Sequence, residues 1–486
     1  MGNILGGLKP TALWNNFESI CGIPHPSKKE QKITEFVVAW AKERNLETII
    51  DEVGNVIIRK PATPGMENRK GIVLQGHLDM VPQKNNDTPH NFDTDPILPW
   101  IDGEWVKAKG TTLGADNGIG VAAAMAVLES KDLTHGLIEA LFTIDEETGM
   151  TGAFGLKSGV LKGDILMNLD SEDEGELYVG CAGGTNANVK FTYTEESVPA
   201  DSVAFQLTVK GLKGGHSGVD IALERGNSNK ILNRILWYSC KNFDLRLSSI
   251  DGGSLRNAIP RESTAVITLP KSNADAFKKF VSEFTAIVIK EYKGVETDLT
   301  VELVSCDAPA FLIDKKTGCD LLNAIYATPN GVMRDSQDMI GLVETSTNLA
   351  IVKSQNKTIT VQCLLRSSVD SAKEDLENMF VAVYTLAGAE IVLDGQYPGW
   401  KPNMDSAILK EMLAAYEKQF GTKPKIAAIH AGLECGLLGG VYPNWDMISF
   451  GPTIRFPHSP DEKVNVASVE KFWDFLVQTL KNAPVK

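Results

Sequence analysis

The chain reads as an α/β layer structure interrupted by an inserted α+β region, and three observations predict it. Up to about residue 185, apolar strand runs alternate with helical patterns. From about 187 the strands become half-exposed alternations between amphipathic helices. The cluster Pro398-Gly399-Trp400-Lys401-Pro402 then marks a second boundary. These limits divide the chain into 1–186, 187–397 and 398–486, the outer two being parts of one domain and the middle one an insertion.

In the first part, Ile72-Val73-Leu74 is a short buried strand running into His77. Residues 118–130 are apolar nearly all round and predict a buried helix with Asp116 just before its start. Residues 137–144 form a strand ending at Asp145-Glu146-Glu147, and Ile165-Leu166-Met167 another ending near Asp170. Polar residues thus gather at the carboxyl ends of strands, where open α/β sheets place their sites.

The middle region predicts a strand at 205–209, a helix at 228–240, strands at 243–246 and 263–269, a helix at 274–290 and a strand at 300–304. A similar order recurs as a helix at 320–326, strands at 348–353 and 358–365, a helix at 374–386 and a strand at 390–393. This suggests a doubled insertion, two ferredoxin-like halves. The last part predicts a helix at 406–420, a loop through 430–436, the His458 segment and a closing helix at 469–480.

Composition narrows the partners. The 486 residues are 43% hydrophobic and 23% charged, as expected of a globular chain with more than one core. A formal charge of −14, without any basic run, argues against nucleic acid or an anionic membrane. Seven cysteines with no CxxC spacing read as buried reduced thiols of a cytoplasmic protein. The N-terminus lacks the basic start and apolar core of a signal peptide, and Gly2 lacks a myristoylation context.

Five short segments carry the chemistry: Gly76-His77-Leu78-Asp79, Gly114-Ala115-Asp116-Asn117-Gly118, Asp145-Glu146-Glu147, Asn168-Leu169-Asp170 and Pro457-His458-Ser459-Pro460. Two imidazoles and several carboxylates without a thiolate suit two zinc, cobalt or manganese ions rather than a structural zinc cage. His77 and Asp79 alternate along a strand, so they face one way, and one can ligate while the other orients it. Polar residues at a half-buried strand end would look the same.

Asp116 precedes a helix in a glycine-rich loop. A carboxylate there can bridge two cations about 3.5–4 Å apart, and a plain turn with an Asp N-cap is the lesser alternative. The loop has no Gly-Lys-Ser/Thr ending, which disfavours a phosphate cradle. Glu146 and Glu147 repel each other at the end of an apolar strand unless cations neutralise them. One can then ligate while the other serves as general base. Asp170 heads an acidic run that also fits a surface loop, whereas His458, between prolines, fits a positioned ligand. His25, His90 and His135 show no partner pattern. Together the segments suggest a two-metal hydrolase.

The ordered set resembles the family of co-catalytic zinc peptidases that includes carboxypeptidase G, aminoacylase and carnosine-type dipeptidases, and the likeness covers essentially the whole chain. The resemblance implies a zinc-peptidase catalytic domain whose mixed sheet is covered by helices, interrupted by a lid. It places His77 and Asp170 on one zinc, Glu147 and His458 on the other, and Asp116 between them. It makes Glu146 the base and Asp79 the support of the first histidine.

The likeness extends to Gly214-Gly215-His216-Ser217-Gly218, a turn whose imidazole could donate to an oxyanion. It also takes in Arg366, whose planar fork suits a substrate carboxylate. Asn257 and the backbone at Gly432 are implied to hold the substrate's other polar ends.

The activity implied is hydrolysis of dipeptides with a free C-terminal carboxylate, Xaa-His dipeptides included, using two Zn2+ per chain that Co2+ or Mn2+ can replace. The alternatives are an N-acyl-amino-acid deacylase on the same metals, or a non-catalytic metal- or peptide-binding protein. The implied partners are small dipeptides and, in a homodimer, a second copy of the chain.

Overall fold

The computed structural model describes residues 4–486. The reading of Gly2 lies outside the described residues. The chain forms two compact units. One takes residues up to Gly180 with Pro402–Ala428 and Leu433–Lys486, and the other takes Cys181–Lys401 with Ile429–Gly432.

The first unit is built on an eight-stranded sheet in the order Glu47–Ile50, Val56–Lys60, Ile138–Thr143, Ile72–His77, Ile165–Asn168, Asp446–Ser449, Glu176–Cys181 and Lys425–Ile429. The four strands from Ile138–Thr143 to Asp446–Ser449 run parallel. Those from the first part are buried along their whole length, as parallel strands covered on both faces must be. The strand Asp446–Ser449 brings the C-terminal piece of the chain back into the same sheet.

The helix Ala115–Glu129 packs against the helix Thr11–Cys21 and the strand Ile72–His77. It begins earlier than predicted, and Asp116 and Asn117 inside it have non-helical dihedrals, so Asp116 sits at a kink. Glycine is required where this helix meets the strands. A Cβ on Gly76 would lie 2.2 Å from Asn117 Oδ1, and one on Gly120 would lie 2.4 Å from the carbonyl oxygen of Leu169. A small sheet of Ile454–Arg455, Lys463–Asn465, Trp105–Ala108 and Pro99–Asp102 carries the His458 loop.

The second unit contains one nine-stranded antiparallel sheet. Strand Ser202–Lys210, helix Ser228–Asn242, strands Arg246–Gly252 and Ser263–Pro270, helix Ala274–Glu291 and strand Thr300–Cys306 form a βαββαβ half. Its sheet order is fourth, first, third, second, the ferredoxin-like arrangement. The other half repeats that order with Gly183–Thr192, Lys315–Ala327, Val343–Gln355, Thr358–Ser367, Asp370–Leu386 and Glu390–Tyr397. The halves join edge to edge through Asp251↔Lys353 and Gly252↔Val352. They are nested rather than sequential, because the first strand of the second half precedes the whole first half. The predicted α/β architecture with a doubled α+β insertion is therefore borne out.

Local differences have physical causes. The strand expected at 243–246 instead spans Arg246–Gly252, because the preceding helix runs on to Asn242. The loop expected through 436 becomes a helix from Glu434 to Val441 despite its glycines, with Cys435, Leu437 and Leu438 buried, so packing overrides low helix propensity. Not all the thiols are buried: Cys306 is exposed, and Cys240 and Cys319 are half-buried. Among the described residues, no helix is long and apolar enough to cross a membrane.

Candidate metal centre

His77 ends its strand almost fully buried. Its Nδ1–H donates to the main-chain oxygen of Asp79 at 2.9 Å, which leaves Nε2 3.2 Å from Asp116 Oδ1 and 3.4 Å from Asp170 Oδ1. The second oxygen of Asp116 lies 3.2 Å from His458 Nε2, and that nitrogen is 2.9 Å from Glu147 Oε2. Each histidine therefore stands between two carboxylates, and Asp116 is common to both sets.

Ligand-capable atoms of His77, Asp116 and Asp170 lie within 4.8 Å of one another, as do those of Asp116, Glu147 and His458. His77, Glu146 and Glu147 form a further set, so Glu146 borders the same space. Oxygens of Glu147 and Asp170 are buried with no hydrogen-bond donor. Such oxygens carry a desolvation cost that a cation would offset. Two imidazoles and carboxylates, with no thiolate, are a donor set that fits zinc, cobalt or manganese.

The electrostatics agree with that fit. Burial pushes Asp170 up to about 7, reinforced by Asp116 and Glu147, against the pull of His77. Glu146 is driven well above the ordinary carboxylate range by burial, with Asp170, Glu434 and Glu147 adding to it. His77 is held well above the usual imidazole value because the surrounding carboxylates outweigh its burial. Hydrogen bonds to Asp116 and Glu147 raise His458 to about 11. The cluster carries more negative charge than its own histidines balance, and divalent cations would offset the excess.

Asp79 meets His77 Nδ1 mainly through its main-chain oxygen. Its carboxylate is 3.5 Å from Nδ1, and instead accepts the main-chain N–H groups of Glu146 at 2.9 Å and Glu147 at 3.2 Å. Burial opposes its charge, yet His77 and these donors hold it down to about 2. The turn carrying the two glutamates is braced at Asp145, whose φ of 53° is left-handed. Its carboxylate accepts from the Thr148 and Thr151 hydroxyls, and its N–H donates to Glu30 at 3.1 Å.

Two buried carboxylates were not singled out from the sequence. Glu434 accepts from Gln75 Nε2 at 2.6 Å and Thr143 Oγ1 at 2.8 Å, and burial lifts it to about 7. Gln75 in turn accepts from Asn168 Nδ2 at 2.6 Å. Gln75 lies two positions before His77 on its strand, so the two share a face, and Asn168 ends its strand two positions before Asp170. The one local signal was a glutamine inside the apolar run Ile72-Val73-Leu74-Gln75. Glu462 accepts four main-chain N–H groups of the Asp116 loop, from Leu113, Gly114, Ala115 and Asp116. Burial and the Asp116 charge raise it to about 7 against those donors.

The remaining predicted residues belong to the second unit. His216 pairs with Ala258 in a short bridge beside Asn257, whose carbonyl accepts from Ser217 N–H at 2.9 Å. His216 Nδ1 accepts from the N–H groups of Gly218 and Val219 at 3.1 and 3.0 Å, so the neutral ring carries its proton on Nε2. Burial and the Arg366 charge lower its pKa, which favours that neutral form. Arg366 is buried near the end of its strand, with Nη1 3.2 Å from Tyr397 Oη and Nε unpartnered.

These groups converge on small residues. A Cβ on Gly218 would meet His430 O at 2.1 Å, His216 Cε1 at 3.1 Å and Arg366 Nε at 3.2 Å. A Cβ on Gly432 would meet the Tyr397 ring at 3.1 Å. His430, read only as part of a loop, is buried with Nε2 2.7 Å from Ser346 Oγ, and burial and Arg366 lower it to about 3.

Residues 73–482 match the model of a family described as "Peptidase family M20/M25/M40". The chain belongs to this peptidase family. The match takes in every site residue named above and the whole inserted region. This family member is 48% identical over 482 residues to the cytosol non-specific dipeptidase of Escherichia coli, covering 99% of each chain. It is similar to the crystal structure of aminoacylhistidine dipeptidase from Vibrio alginolyticus, with 52% identity, a TM-score of 0.96, and 99% and 98% of the two chains covered. Aminopeptidase PepT from Bacillus cereus shares the fold at 17% identity and a TM-score of 0.57, over 98% of this chain and 99% of that one.

Proposed function

We propose that this chain hydrolyses the peptide bond of dipeptides bearing a free C-terminal carboxylate, Xaa-His dipeptides among them, with two divalent metals. The observation that carries the reading is the sharing of Asp116 between two three-residue ligand sets. The full-length similarity to proteins named as dipeptidases supports the substrate class.

His77, Asp116 and Asp170 would hold one cation, and Asp116, Glu147 and His458 the other. When bound, the pair supplies Lewis-acid polarisation of the scissile carbonyl and a water nucleophile at neutral pH. Zinc is the assigned metal, with cobalt or manganese as substitutes for the same donor set.

The chain's own groups perform the rest. Glu146 takes the proton of the attacking water and returns it to the departing amine. Its desolvated position suits that task, because burial raises its pKa and nearby cations would lower it again. Asp79 fixes the main chain of Glu146 and Glu147 through their N–H groups. His216 donates its Nε2–H to the developing oxyanion. Arg366 offers a buried guanidinium to the substrate carboxylate, while Asn257 and the Gly432 backbone hold the remaining polar ends. In this reading region 187–397 serves as a lid, and the protein works in the cytoplasm.

A substrate panel tests the proposal. After chelation and reloading with Zn2+, Co2+ or Mn2+, free dipeptides should be cleaved, with tripeptides and N-acyl amino acids turned over at least tenfold more slowly. Preference for N-acyl amino acids would replace the reading with a deacylase. Metal binding without turnover of any of these substrates would leave a binding protein.

A further inference from the structure

Glu462 is 2% exposed, and among the described residues its carboxylate has no cationic side chain bonded to it. It is satisfied by main chain. Oε2 accepts from Leu113 at 2.8 Å and Gly114 at 3.0 Å, and Oε1 from Ala115 at 2.8 Å and Asp116 at 3.2 Å. Four consecutive N–H groups thus converge on an anion with about four acceptor sites. They lie at the amino end of the Ala115–Glu129 helix, where the helix dipole also favours negative charge. Gly114 makes the curl possible with a φ of +71°, and a Cβ there would meet Met80 Sδ at 3.1 Å.

The same side chain belongs to the other half of the centre. Glu462 follows His458 by four residues, in the loop between strands Ile454–Arg455 and Lys463–Asn465. Two residues of that loop, Phe456 and His458, have positive φ, at 56° and 58°. His458 has a half-exposed side chain. His77, by contrast, ends a buried parallel strand, and Asp170 lies two residues beyond another.

We propose that Glu462 is a positioning residue that clamps the Asp116 loop to the His458 loop and so sets the second metal subsite, the one formed by Asp116, Glu147 and His458. The inference rests on the two-metal reading above. A carboxylate is needed rather than an amide, because glutamine would turn an NH2 donor toward two N–H groups and convert attraction into repulsion. Loosening the clamp frees His458 relative to Asp116 but leaves His77 and Asp170 in place. The effect should therefore fall more heavily on this subsite than on the other, which shares only Asp116 with it.

The test is a titration of chelated full-length protein with Zn2+ alone, followed calorimetrically, for wild type, Glu462→Gln and Gly114→Ala. The second variant disturbs the same cradle from the donor side and provides the readout should the first fail to fold. The expected result is one site weakened at least tenfold more than the other. In parallel, kcat on a free dipeptide should drop at limiting zinc and recover with excess zinc, at constant KM. Two sites within twofold of wild type would overturn the clamp and leave the dipeptidase reading standing. Equal weakening of both sites would overturn it too, showing general destabilisation. A wild-type protein that binds fewer than two zinc ions would overturn both readings.

Discussion

The carboxylate of Asp79 accepts the main-chain N–H of Glu146 at 2.9 Å, while the main-chain oxygen of the same residue accepts the His77 Nδ1–H. One residue therefore orients the His77 imidazole with its backbone and the adjacent glutamate pair with its side chain. Asp79→Asn puts an amide NH2 against one of those N–H groups. Activity on a free dipeptide should fall by about 10–100-fold, as for other groups that orient metal ligands. Inductively coupled plasma analysis should still find two metals per chain. Wild-type turnover by this variant would remove Asp79 from the account.

Arg366 is expected to discriminate between substrate termini. Arg366→Ala should penalise free dipeptides strongly and the same dipeptides with an amidated C-terminus little, since the amide never offered the carboxylate. The comparison is a ratio of kcat/KM values. Equal losses on both substrates would refute a carboxylate clamp.

For His216, the proton on Nε2 and the lowered pKa describe a neutral donor. Removing an oxyanion donor typically costs about 100–1,000-fold in kcat. His216→Ala should show such a loss with metal content unchanged and KM altered less than kcat. A variant that loses only KM would make His216 a binding residue.

Metal uptake should release protons. In protein stripped by chelation, Asp116 and Glu147 raise His458 to about 11, so it is protonated at pH 7, and the surrounding carboxylates shift His77 in the same direction against its burial. A ligating imidazole must be neutral, so binding expels these protons. The sign follows: affinity rises with pH up to the raised values and falls as pH drops. Calorimetry at pH 7 in two buffers of different ionisation enthalpy should report about one proton or more per histidine. No buffer dependence would contradict the ligand assignment.

The parts of this architecture legible from sequence are those with a local signature. Apolar runs ending near His77, Asp145 and Asp170 announced strands with polar residues at their carboxyl ends, and the sheet has that form, the strands running parallel. The groups missed have partners remote in sequence. Glu462 bonds main chain 346–349 residues away, and Glu434 bonds Gln75 359 residues away. Nothing near either glutamate marks it as more than a surface acid. The nesting of the two lid halves was hidden for the same reason. The strand Gly183–Thr192 pairs with Thr358–Ser367 and Glu390–Tyr397 across the whole first half.

The central claim is that two cations lie between the ligand sets while Glu146 remains an unligated base. Glu146→Ala measures it most directly, with metal content and turnover determined on the same preparation. The account predicts two metals per chain and a loss of activity beyond about 100-fold, within the range of general acid–base groups. Loss of a metal, or activity within about 100-fold of wild type, would contradict it.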